Sequence, residues 1–190
     1  CVRDDLMGRP TKDLDMEVHG IAPAQLEEIL DALGQRISIG ESFGIYHLKG
    51  HSLDIAMPRK ESLRGQGHRD FDVFVDPFIG IEGAAKRRDF TCNALMQDVC
   101  TGEILDPFGG EADLRAGILR HVSEDSFAED PLRVLRCAQF AARFDFRVAP
   151  ETVELCRTMD LRHLPRERIE GELKKALLQA EHPSIFFEIL

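Results

Sequence analysis

Asp13 and Asp15 stand one residue apart in Lys12-Asp13-Leu14-Asp15-Met16-Glu17-Val18, where Leu14, Met16 and Val18 alternate with polar neighbours. That alternation has the period of a β-strand. On a strand both carboxylates project from one face, while Leu14 and Met16 turn towards a core. Two carboxylates held side by side repel each other unless a cation sits between them, and their hard oxygens suit Mg²⁺ or Mn²⁺. The chemistry that follows is a metal site for phosphoryl transfer. The same pair also occurs as an ordinary feature of exposed strands, so its surroundings decide between the two. Asp54, flanked by Leu53 and Ile55, points away from those apolar neighbours. On a strand next to the first it completes the metal site.

Asp130, Arg133 and Arg136 follow one another at intervals of three, a spacing that puts them on one face of a helix. By themselves they read first as an intrahelical ion pair. His47 and His51 straddle Gly50 in strand-like sequence and do not converge as helical metal ligands. Gly65-Gln66-Gly67 lacks the flanking strand and helix of a dinucleotide site.

Val2 to Gly8 is a short helix leading into the Asp13 strand. Pro23 to Leu33 is a longer one, with Leu26, Ile29, Leu30 and Leu33 on one stripe and Gly34 at its end. Three strands follow, Gln35 to Ile39, Phe43 to Leu48 and Ser52 to Met57. Pro58 to Pro77 is polar, basic and glycine-bearing, and is expected to be a long mobile loop. Ala84 to Gln97 is expected to be helical, carrying Arg87, Arg88, Asp89 and Asn93. Asp98 to Asp106 is a hairpin turning at Thr101-Gly102, and Asp106-Pro107-Phe108-Gly109-Gly110 turns into a helix. Beyond His121 the pattern is helical throughout: Asp130 to Phe144, Glu151 to Met159, Pro165 to Leu178 and Pro183 to Leu190. A change of domain is therefore placed near residue 120. Phe140, Phe144 and Phe146 are assigned to the helical core.

An apolar fraction of 43% suits a globular fold of 190 residues. No apolar run is long enough to span a bilayer and no signal-peptide pattern opens the chain. Five cysteines without a C-x-x-C pair argue against a disulfide framework or a zinc knuckle, and a reducing cytoplasm is the expected setting. The net charge of −10 runs against non-specific nucleic-acid binding. Local clusters count for more than the sum: Arg59, Lys60, Arg64 and Arg69; Lys86, Arg87 and Arg88; Arg162, Arg166 and Arg168. The third cluster reads equally well as solvated salt bridges.

Taken together, the ordered motifs resemble one family. They are Val2-Arg3-Asp4 with Asp13-x-Asp15; Gly40-x-Ser42-Phe43-Gly44; Asp54 with Ala56 and Arg59; Arg87-Arg88-Asp89-Phe90-Thr91-x-Asn93-Ala94; Asp106-Pro107-Phe108-Gly109-Gly110-x-x-Asp113-Leu114; Leu119-Arg120-His121; and Glu129-Asp130-Pro131-Leu132-Arg133-x-x-Arg136. The chain resembles the head and neck of the class II tRNA nucleotidyltransferases, the CCA-adding enzymes, and the bacterial poly(A) polymerases related to them.

The resemblance implies an α+β fold: a polymerase-β-like head with a mixed or antiparallel sheet over residues 1–120, then an all-helical neck over 121–190. It implies that Asp13 and Asp15 hold divalent metal and that Asp54 is the third acid of the catalytic set. Arg3, Arg88, Asp89 and Asn93 correspond to contacts with triphosphate and ribose, and Asp130, Arg133 and Arg136 to the face that reads the incoming base. An Asp acceptor beside an Arg donor matches cytosine and adenine, which both offer an amino donor next to a ring-nitrogen acceptor, and mismatches uracil and guanine. The implied partners are the tRNA 3′ end, CTP and ATP. The implied activity is template-independent transfer of CMP and AMP to that end with release of pyrophosphate; A-only or CC-only addition, poly(A) synthesis and a silent RNA-binding module are the alternatives. The Gly-Gly pair that begins the family motif is not in the chain, which also ends inside a helical pattern, so a head and neck fragment is expected.

Overall fold

The computed structural model describes residues 2–11, 14–38, 44–63 and 71–190. Asp13, Gly40 to Phe43 and Gly65 to Gly67 fall outside the described residues. Contacts gather the chain into two compact units, one of residues up to 85 and the other of residues 86–190.

In the first unit, α1 (Val2–Leu6) precedes β1 (Leu14–Glu17), and α2 (Pro23–Leu33) precedes β2 (Arg36–Ser38), β3 (Ile45–Leu48) and β4 (Leu53–Ala56). The four strands form one sheet in the order β1-β4-β3-β2. β1 runs parallel to β4, whereas β4, β3 and β2 are antiparallel neighbours, so the sheet is mixed. One face packs on α2: Leu26, Leu30, Tyr46, Leu48, Ile55 and Met57 form its core. Of the four apolar residues expected on the α2 stripe, Leu26 and Leu30 are buried, while Ile29 and Leu33 are exposed. Leu14 departs from expectation too, being 58% exposed. β1 is the edge strand, so Leu14 has a sheet neighbour on one side only. Tyr46 donates from its hydroxyl to Glu27 Oε1 at 2.9 Å, and Arg36 ion-pairs with Asp31 at 2.9 Å, which ties strands to helix at the polar margin.

The segment expected as a loop from Pro58 to Pro77 instead contains an antiparallel hairpin, β5 (Arg59–Leu63) with β6 (Phe71–Val75). The alternation in Phe71-Asp72-Val73-Phe74-Val75 is a strand signal that the glycines at its centre outweighed in the sequence reading. α3 (Gly80–Lys86) closes this unit.

In the second unit the expected helix from Ala84 to Gln97 is broken. After Lys86 the chain turns, Phe90 bridges to His121, and only Thr91–Asn93 coil again, as a 3₁₀ turn. The cause is the Asp89 carboxylate, which accepts from the Phe90 N–H and from Asn93, so local side-chain bonding replaces the helical ladder. β7 (Met96–Gln97) and β8 (Ile104–Leu105) form the expected hairpin, with Gly102 at φ +75°. α4 (Gly110–Ala116) starts where Asp106 accepts from the Gly110 and Glu111 N–H groups at 2.7 and 3.0 Å. Gly110 is required there, since a Cβ would lie 2.2 Å from the Thr91 carbonyl oxygen.

β9 (Ile118–Leu119), α5 (Glu124–Ala128), α6 (Leu132–Phe144), β10 (Arg147–Val148), α7 (Pro150–Thr158), α8 (Arg166–Gln179) and α9 (Ser184–Ile189) follow. The region past residue 120 is thus helical save for β10, which pairs in parallel with β9. Asp145 makes this possible by ending α6 in the left-handed conformation, at φ 57°. Leu132, Leu135, Ala138 and Ala142 of α6 pack with Ala176 of α8 and Phe186 of α9. On another side of α6 an aromatic column joins Phe127, Phe90, Phe140, Phe144 and Phe146 at centroid distances of 5.6–5.7 Å; Phe140 and Phe144 are buried as expected of the core, whereas Phe146 is half-buried at the end of the column. Cys92, Cys100, Cys137 and Cys156 are free thiols. Among the described residues no helix is long and apolar enough to cross a membrane.

Candidate active site

The first set of candidate residues lies on the sheet face opposite α2. Asp15 and Asp54 are register partners on the parallel strands β1 and β4, so their side chains stand about 5 Å apart at the backbone and share a face. His47 is the partner of Asp54 on β3, and its Nδ1 lies 3.1 Å from Asp54 Oδ1. Three neighbouring strands thereby present Asp15, Asp54 and His47 as a row. The Asp54 side chain is 53% exposed, open to an incoming group. Glu17 continues the Asp15 face two residues on and is held by His19 at 3.0 Å. Arg3, on α1 in the same unit, pairs with Asp4 at 2.7 Å.

Asp13 lies outside the described residues. Among the described ones, no group of three or more His, Cys, Asp and Glu side chains is arranged to hold a metal ion. The donor set that is present, two carboxylates side by side on one open face with a third acid two residues earlier in sequence, has the hard-oxygen chemistry that Mg²⁺ and Mn²⁺ take.

The second set gathers in the other unit around α6. Asp89 is 7% exposed. Its Oδ1 accepts from the Phe90 N–H at 2.8 Å and from Asn93 Nδ2 at 2.9 Å, while Oδ2 accepts from Arg136 Nε at 2.8 Å and Nη2 at 2.6 Å. Burial pushes the Asp89 carboxyl up, but the Arg136 charge and these hydrogen bonds outweigh it and hold the carboxyl below its usual range. Burial pulls the Arg136 guanidinium down, and the Asp89 charge and hydrogen bond outweigh that, raising it. Arg136 Nη1 also approaches Glu172 Oε1 of α8 at 3.9 Å, and Lys175 donates to the same oxygen at 2.7 Å. Arg88 sits half-buried in the turn after α3.

Asp130 is just outside α6, where the sequence reading had placed it inside the helix. The following Pro131 cannot supply a helical N–H, and Asp130 instead starts α6 from outside: its Oδ1 accepts from the Leu132 N–H at 3.1 Å and its carbonyl accepts from the Arg133 N–H at 2.9 Å. Arg168 of α8 donates to both carboxylate oxygens of Asp130, at 3.1 and 2.8 Å. Arg133 donates from Nη1 to the Ser126 carbonyl at 2.6 Å and from Nη2 to the Arg87 carbonyl at 2.7 Å, over the ring of Phe127. Asp89, Asn93, Arg136, Asp130 and Arg133 are therefore brought together on α6 and its flanks, and Arg168 and Glu172 join them.

Sequence reasoning missed His47, Arg168 and Glu172. His47 carried a signal, since it alternates with the buried Tyr46 and Leu48 and so shares the parity of an outward strand face. Arg168 was read as part of an exposed basic cluster, and Glu172 carried no signal that its spacing would reveal. The other two members of that cluster do pair locally, Arg162 with Asp160 and Arg166 with Glu170.

The poly A polymerase head domain family matches residues 1–120. A multifunctional CCA protein of Nitrosococcus oceani is 45% identical over all of this chain and 46% of its own length. Another, of Nitrosomonas europaea, is 42% identical over all of this chain and 45% of its own. The chain thus spans about half the length of the curated relatives it matches. Among solved structures, the Bacillus stearothermophilus CCA-adding enzyme in complex with CTP superposes with a TM-score of 0.82 at 31% identity, over 100% of this chain and 45% of that one. The Thermotoga maritima CCA-adding enzyme complexed with tRNA superposes at 0.76 and 30% identity, over 98% of this chain and 43% of that one. The chain belongs to the poly A polymerase head-domain family, that of the class II CCA-adding enzymes.

Proposed function

We propose that the protein adds CMP and AMP to the 3′ end of tRNA without a nucleic-acid template, with residues 1–120 as a nucleotidyltransferase head and 121–190 as a neck. The observation that carries this reading is the in-register pairing of Asp15 with Asp54 on an open sheet face, in a chain whose relatives are named CCA proteins and CCA-adding enzymes.

In the reaction, the terminal 3′ hydroxyl oxygen bonds to the α-phosphorus of CTP or ATP, the bond to the β-phosphate breaks, pyrophosphate leaves, and the hydroxyl proton passes to solvent. Asp13 and Asp15, with Asp54 the register partner of Asp15, would hold divalent metal. Such an ion lowers the pKa of a bound hydroxyl and offsets charge on the departing phosphates.

The remaining work falls to the chain's own side chains. Arg3 and Arg88 bring positive charge to the triphosphate. Asp89 and Asn93 brace Arg136, whose guanidinium keeps its direction by donating from both Nε and Nη2 to Asp89 Oδ2. Asp130 and Arg133 read the base edge. The two carbonyls that hold Arg133 fix its fork, and Arg168 holds the Asp130 carboxylate, so base reading shares or exchanges these contacts.

The test uses the complete protein with Mg²⁺, tRNA lacking its terminal nucleotides, and each labelled NTP in turn. Incorporation of C followed by A is expected. C alone, A alone or runs of A would select a relative, and tRNA binding without incorporation would select the silent module. Arg133→Ala should lower discrimination of C and A against U and G by about tenfold or more. Unchanged selectivity removes the reading role.

A further inference from the structure

We propose that His47 is a positioning residue for Asp54, fixing the carboxylate that faces Asp15 by donating from Nδ1. The inference rests on the catalytic reading of Asp54 given above and adds a residue which that reading does not contain.

The argument starts from register. β3 and β4 are antiparallel, with His47 opposite Asp54, and β4 and β1 are parallel, with Asp54 opposite Asp15. The three side chains therefore occupy adjacent strands on one face, with Asp54 in the middle. Tyr46 and Leu48, on either side of His47, are buried against α2, which fixes the strand's orientation and sends His47 to the carboxylate face. Its ring is anchored at the backbone by the sheet, unlike the end of a long flexible side chain.

The contact has one chemical sense. A carboxylate only accepts, so the 3.1 Å approach of Nδ1 to Oδ1 requires the proton on Nδ1. That bond commits Oδ1 and leaves Oδ2 without a donor among the described residues. An exposed aspartate otherwise turns through several rotamers, and a ligand-bearing carboxylate with its orientation unset is a poor ligand. Partners that orient such groups are worth about 10–100-fold in metal affinity or activity when removed.

The experiment has an arm that needs no turnover. In the complete protein, ring ¹⁵N shifts of His47 should report the Nδ1–H tautomer in the wild type and a shift towards the solvent mixture in Asp54→Ala. Kinetically, His47→Ala should lower kcat by about tenfold or more with KM for CTP and tRNA little changed. His47→Asn, which places an amide N–H where Nδ1 stood, should recover most of that loss, and His47→Gln should recover little. An unprotonated Nδ1 in the wild type, a kcat in His47→Ala equal to wild type, or equal rescue by Asn and Gln would overturn the proposal. Failure of the underlying reading is seen separately: full activity in Asp54→Ala removes Asp54 from catalysis whatever the tautomer shows.

Discussion

Asp54 and Asp89 are the same residue type under opposite conditions. Asp54 stands on an open strand face with a side chain 53% exposed and, among the described residues, one partner, His47. Asp89 is 8% exposed at its side chain and both its oxygens are taken by Phe90, Asn93 and Arg136. A carboxylate left open beside another carboxylate is available to a ligand and costs the fold some repulsion. One enclosed by donors is consumed by the fold and sets the geometry of its neighbours. The first unit thus offers acids to an outside group, while the second spends an acid on aligning an arginine.

The contrast predicts which variants lose activity and which lose stability. Asp15→Asn should cut nucleotide transfer by about a thousandfold or more, equivalent to roughly 4 kcal/mol in the barrier, while the free energy of unfolding from urea titration stays within about 0.5 kcal/mol of wild type. A large loss of stability in that variant would show the row to be structural. Asp89→Ala should do the reverse in kind. Leaving Arg136 partly buried without its main partner costs about 3 kcal/mol, read as a lowered urea midpoint with an unchanged slope. A cost below about 1 kcal/mol would mean that Asp89 is not the brace its contacts suggest.

The smallest effect concerns pH. Burial pulls the His121 imidazole below its usual range, with Glu124 acting against the shift and Arg120 adding to it. Its neutral ring is bonded at Nδ1 to Thr152 Oγ1 at 2.8 Å. The unfolded chain then binds the proton more readily than the folded one, so the His121 contribution is fully present above the unfolded value of about 6.5 and is lost as pH falls from there towards the lower folded value. Thermal midpoints from pH 7.5 to 5 should show this fall, and His121→Asn should flatten it. An unaltered slope in the variant would assign the fall to other groups.

What was legible in advance followed from periodicity. α2 matched its expected bounds because Pro23 and Gly34 punctuate a helical stripe, and the carboxylate face of β4 followed from Asp54 lying between Leu53 and Ile55. Two failures share a cause, the choice of a local signal over a tertiary one. Gly65 and Gly67 hid a hairpin whose strands are specified by pairing, and the helix-forming run from Ala84 was cut by Asp89, whose partner Arg136 lies 47 residues away. The ordered motifs picked out residues that the structure gathers around α6, but not that Asp130 stands outside the helix, since spacing alone is blind to an N-terminal carboxylate that starts a helix from beyond its first turn. His47 could have been found by parity, whereas Arg168 and Glu172 became visible only through the packing of α8 on α6.

If the acids of the first unit form a seat for a divalent ion, Mn²⁺ titration of the complete protein followed by electron paramagnetic resonance will detect it. Binding should weaken about tenfold or more in Asp15→Asn and remain at the wild-type level in Glu103→Gln, an exposed acid of the second unit. Equal Mn²⁺ affinity in Asp15→Asn and wild type would contradict the account.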